Sequence, residues 1–149
     1  MSNFLAAVDL EDKETWENII NKTVNMAKGN EGAKIYLMTV VPGISSGIDQ
    51  RYAIRGEMKG STEYPMKQWK DEAAKTLREL ANQYIPQELQ AGVVVENGTV
   101  YREIVEAAKD LDIEQIVMGA HRPSLADFLL GPNSARVARH AECSVTVVR

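Results

Sequence analysis

Five short apolar runs recur along the chain, and each is separated from the next by a segment in which apolar residues return with helical period. The runs are Phe4–Val8, Ile35–Val41, Gly92–Glu96, Ile113–Met118 and Ser144–Val148. Runs of this length without alternating polar residues are what strands buried on both faces require. Between the first two, Trp16, Ile19, Ile20, Thr23, Val24 and Ala27 share one face of a helix that Gly29 ends. Trp69, Ala73, Leu77, Leu80, Ala81 and Tyr84 form the next such face, closed off by Pro86. Ile104, Val105, Ala107, Ala108 and Leu111 form a third, with Thr99 as cap ahead of Arg102 and Glu103, a partial capping box. Asn97-Gly98 is also a hairpin signal, but the helical period that follows it excludes a hairpin. A fourth face, with Ala135, Val137 and Ala138, follows Gly131-Pro132-Asn133-Ser134. Right-handed crossovers then give a five-stranded parallel sheet with helices on both faces, a three-layer α/β sandwich of Rossmann-like type. Ligands of such sheets lie outside the carboxyl ends of the strands, where strand order reverses.

The 149 residues suit one domain spanning 1–149, with a sizeable core. A net charge of −4 argues against nucleic acid or an anionic membrane as partner. A small anionic ligand stays open, because local groups govern that. The amino terminus has no charged-then-apolar signal pattern and no apolar run is long enough to span a bilayer, so a soluble, cytoplasmic protein is expected. Cys143 is the only cysteine, which excludes a disulfide framework, and its place before Val145 and Val147 predicts a small core residue rather than a nucleophile. His121 and His140 are the only histidines, and no metal site is expected.

Three places carry candidate chemistry. Asp9 ends the first apolar run, where a carboxylate can accept hydrogen bonds from a ribose hydroxyl or a base amine; its alternative role, with Glu11 and Asp12, is to cap the next helix. Gly119 ends the fourth run and permits close backbone approach, or simply a tight turn. Pro132 suits a first helical position after Gly131, so that strand end, loop and helix start can aim backbone N–H groups at an anion. Residues 44–62, rich in Gly and Ser and without period, form a long excursion from the same sheet edge, either a lid or a surface loop.

The segment from Gly119 through His121-Arg122-Pro123, Gly131-Pro132-Asn133-Ser134 and the tail His140-Ala141-Glu142-Cys143-Ser144 resembles the carboxyl-terminal signature of the universal stress protein family. The likeness is to its short single-domain bacterial members, covers the whole chain in element order, and is most specific over Gly119–Arg149. It implies an adenine-nucleotide α-hydrolase-like fold, a homodimer joined through the carboxyl-terminal strand, and binding of ATP or AMP in a stress-response role. The family pattern Gly-x-x-Gly-x9-Gly-Ser/Thr places its first glycine on Gly119 and its last on Gly131. Asp9 and Val40 then surround ribose and base, and Met118, His121, Arg122, Asn133 and Ser134 complete the implied site.

The chain departs from that pattern at Arg122, which replaces the middle glycine, and at Pro132, which replaces Ser or Thr; the spacing from Gly119 to Gly131 is one residue short. Proline offers phosphate neither a hydroxyl nor an N–H. Arg122 can instead grip phosphate in bidentate fashion, or remain a solvent-exposed loop residue. A nucleotide-independent dimeric interaction protein with a degenerate motif is the alternative function. Dedicated catalysis is not expected: His121 is the one candidate base, and slow ATP hydrolysis or self-modification would need Asp9 or Glu11 to hold magnesium.

Overall fold

A computed structural model of the chain describes residues 2–42, 63–120 and 132–149. Five strands, β1 (Asn3–Ala7), β2 (Lys34–Pro42), β3 (Gln90–Gly98), β4 (Gln115–Gly119) and β5 (Ser144–Val148), form one sheet in the order β3-β2-β1-β4-β5. Every pairing is parallel. Helices α1 (Lys13–Lys28), α2 (Glu63–Tyr84), α3 (Val100–Asp110) and α4 (Pro132–His140) make the crossovers, and a 3-10 turn, Gln87–Leu89, leads into β3. The chain steps outward from β1 through β2 to β3, then returns past β1 to lay down β4 and β5. The order therefore reverses between β1 and β4.

Alternation along the central strands divides the interior into two cores. Phe4, Ala6 and Val8 pack with Trp16, Ile19, Ile20, Leu77 and Leu80 on the α1 and α2 side. Leu5 and Ala7 pack with Met38, Ile104, Ala108, Met118 and Val137 on the α3 and α4 side. Leu5 and Ala6, adjacent in sequence on opposite faces, are both wholly buried, which is why β1 reads as an unbroken apolar run.

Several local expectations are corrected. Trp69 is 46% exposed, so the inward face of α2 is carried by Leu77, Leu80 and Ala81. In α4 the inward stripe is Ser134 and Val137, while Ala135 and Ala138 face outward; alanine is too small to say which way a helix turns. Gly29 ends α1 in right-handed conformation (φ −84°), and the positive φ comes three residues later at Gly32. Thr99 occupies the cap position of α3 but its side chain makes no capping bond. Ile113 is buried yet precedes β4, because Asp112 turns the chain at φ 52°.

Candidate functional site

The rim around β1 is built by hydrogen bonds that carry the chain up to Asp9 and then release it. The Val8 N–H donates to the Met38 carbonyl at 2.8 Å, and the Val8 carbonyl accepts the buried Thr39 hydroxyl at 2.8 Å. Beyond this point Asp9 is exposed. Its Oδ1 accepts the Glu11 N–H at 3.0 Å and its carbonyl accepts the Asp12 N–H at 3.1 Å, closing a tight turn. Capping of α1 falls to Asp12, whose Oδ1 accepts the Thr15 N–H at 3.4 Å and whose Oδ2 accepts the Thr15 hydroxyl at 2.8 Å. Asp9 is thus relieved of the capping role, and its Oδ2 accepts no hydrogen bond among the described residues.

Sheet register sets the neighbouring groups. Ala7 pairs with both Met38 and Met118, so Thr39 and Gly119 stand one residue nearer the carboxyl edge and Val40 two. Met118 is buried and Val40 partly so, both on the α3 and α4 side. Helix α4 ends at His140, just before β5 begins at Ser144, so its amino end lies at this same rim. Asn133, exposed, and Ser134, 2% exposed, occupy its first turn. First-turn N–H groups lack intrahelical acceptors and carry partial positive charge, although Pro132 contributes none.

Gly119 has a second constraint. A Cβ built there would stand 2.8 Å from Thr15 Cγ2 and 3.3 Å from Ile19 Cδ1, so the glycine lets the first turns of α1 sit against the end of β4. The Gly119 ladder with Val148 continues outward as the Ala120 N–H donates to the Val148 carbonyl at 2.8 Å. His121, Arg122, Gly131 and the 44–62 excursion lie outside the described residues.

Charge divides the rim into two halves. Asp9, Glu11, Asp12 and Glu14 cluster where β1 meets α1, whereas the first turn of α4 has no acid; the bases Arg139 and His140 lie in its last turn, at the opposite sheet edge. An anion is therefore favoured at α4 and a hydrogen-bond donor at Asp9. Arg136 lies over the Tyr101 ring, its Cζ 5.2 Å from the centroid. Among the described residues no three His, Cys, Asp or Glu side chains are grouped to hold a metal, and no helix is long and apolar enough to cross a membrane. Cys143 lies before the amino end of β5, at the opposite sheet edge, and burial raises its thiol pKa. Sequence reading brought Asp9, Val40, Met118, Gly119, Asn133 and Ser134 to one edge but passed over Thr39 and Thr15. The signal for Thr15 is Asp12-x-x-Thr15, a capping carboxylate with its donor three residues on.

A model described as the universal stress protein family matches residues 1–149. Universal stress protein G of Escherichia coli O157:H7 is 28% identical over 142 residues, 95% of this chain and 94% of the relative. Among solved structures, hypothetical protein MJ0577 superposes with a TM-score of 0.71 at 19% identity, covering 99% of this chain and 94% of its own. A universal stress protein crystallised in complex with cAMP gives a TM-score of 0.58 at 16% identity, with 99% and 96% covered. At these identities the two structural matches speak for the fold alone.

Proposed function

The chain belongs to the universal stress protein family, and we propose that it acts as one domain over residues 1–149, a cytoplasmic regulator that binds an adenine nucleotide, ATP or AMP, at the β1–β4 reversal. The observation that carries this reading is Asp9: an exposed carboxylate with one oxygen unpartnered among the described residues, beside the strand-order reversal and facing the rim that holds the amino end of α4. Asp9 takes the ribose hydroxyls, and Val40 and Met118 line the base. Phosphate goes to the opposite half, on the N–H groups of Asn133 and Ser134, with Gly119, His121, Arg122 and Gly131 completing the cradle. That orientation keeps phosphate away from Asp9, Glu11 and Asp12. The cAMP-bound family structure supports the ligand class. A melting scan with and without ATP or AMP tests the reading: Asp9→Ala and Gly131→Val should each abolish nucleotide-dependent stabilisation, and undiminished stabilisation in both refutes the site.

The partner on this reading is a second copy, paired through β5. This strand is a sheet edge whose Val145, Thr146, Val147 and Val148 are all only partly buried, and among the described residues no strand pairs with its outer side, which suits extension by a second copy. Arg122 and Pro132 favour a second reading, a nucleotide-independent dimeric interaction protein. It predicts no melting shift at millimolar nucleotide.

A further inference from the structure

The two walls of the candidate site meet at one side chain, Thr15. Its Cγ2 lies where a Cβ on Gly119 would come within 2.8 Å, so the methyl is seated against the end of β4. Its hydroxyl and N–H are both spent on Asp12, at 2.8 and 3.4 Å. Asp12 in turn donates its N–H to the Asp9 carbonyl at 3.1 Å, within the turn that aims the Asp9 carboxylate. A β-branched side chain has few helical rotamers. Swinging this methyl aside would take the hydroxyl off Asp12, so a Cβ at position 119 cannot be relieved by rotating Thr15 alone. The first turn of α1 and the end of β4 then have to move apart, which changes the separation between Asp9 and β4. Ile19 Cδ1, the other near atom, is the far end of a longer side chain and yields more easily.

We propose that Thr15 is a positioning residue of the ligand site, its methyl against Gly119 and its hydroxyl on Asp12 fixing the separation between the Asp9 carboxylate and the end of β4. On this account the glycine at 119 is required by α1 as well as by any phosphate. The inference rests on the nucleotide reading above and names a residue that sets the width of that same site.

The test is a double-mutant cycle in AMP affinity, measured by calorimetry at a temperature where circular dichroism shows every variant folded. Gly119→Ala should weaken binding about tenfold or more, and adding Thr15→Ser, which keeps the hydroxyl and removes the methyl, should recover most of that loss. Thr15→Ser alone supplies the reference leg. Wild-type affinity in Gly119→Ala, or a loss that Thr15→Ser leaves untouched, overturns the proposal. Should Gly119→Ala not fold, Thr15→Val keeps a methyl at Gly119 but removes the hydroxyl bond to Asp12 Oδ2, and is expected to bind several-fold more weakly; unchanged affinity there is equally fatal. Absence of AMP and ATP binding in the wild-type chain refutes the nucleotide reading itself, and that leg is read before any variant.

Discussion

The hydroxyl of Thr39 donates to the carbonyl of Val8 at 2.8 Å, tying the ends of β1 and β2 together at the last buried position before Asp9. Thr39 is a polar residue inside the apolar run Ile35–Val41, and this bond gives the reason for its place there. Thr39→Val preserves shape but leaves a buried carbonyl short of a donor, and should cost about 1–2 kcal/mol in denaturant unfolding. Thr39→Ser should recover most of it. A Val variant as stable as wild type would show that the bond contributes nothing net.

Asp9 and Asp12 are three residues apart and do different work, and two variants should separate them. Asp12→Ala removes the α1 cap and should lower stability by about 1 kcal/mol, read by urea titration. Asp9→Ala should leave ligand-free stability within a few tenths of a kcal/mol of wild type, since its side chain accepts one exposed turn bond. It should abolish stabilisation by nucleotide. Equal destabilisation in the two variants would make Asp9 a structural residue.

Cys143 is the one thiol, and burial pushes its pKa up; backbone hydrogen bonds at Ile116 and Cys143 offset only part of that. The thiolate is the nucleophile, so iodoacetamide should alkylate the folded chain more slowly than a free cysteine near neutral pH, with the rate rising only at more alkaline pH. The folded state keeps this proton longer than the unfolded one. Its stabilising contribution is therefore complete below the unfolded pKa and is lost as pH rises through the folded value. Rapid alkylation of the native chain at neutral pH, followed by intact mass, would contradict this placement.

If β5 pairs with its twin, Val147→Lys should convert a dimer to a monomer in size-exclusion chromatography with light scattering, because a charged edge opposes strand pairing. A dimer that survives the change uses another surface.

The fold was legible because it rests on signals that tertiary context seldom overrides. Leu5 and Ala6 are buried on opposite faces, and only a central strand of a covered sheet explains such a run. A parallel sheet covered on both faces, with Asp9 and Gly119 at its carboxyl edge, follows from connection rules applied to five runs, whereas the strand order and the reversal between β1 and β4 that makes Asp9 and Gly119 neighbours do not. Details that hang on one side chain's partner were not legible. Trp69 has helical spacing with Leu77 but lies too early in α2 to reach the core. Thr99 holds the cap position of α3 without a capping bond from its side chain, and residue type alone does not show whether that hydroxyl turns toward the helix. At Gly119 the sequence suggested approach by something outside the strand, but not that Thr15 and Ile19 of α1 were among the groups approaching.

The most direct test of the central claim is to incubate the purified chain with ATP and AMP, desalt it, denature it and identify any released small molecule by mass spectrometry, with Asp9→Ala as control. The account predicts a stoichiometric adenine nucleotide from the wild-type chain, its phosphate count naming the preferred state, and little from the variant. No nucleotide from wild type, together with no melting shift at millimolar ATP or AMP, would contradict it and leave the nucleotide-independent interaction protein as the better reading.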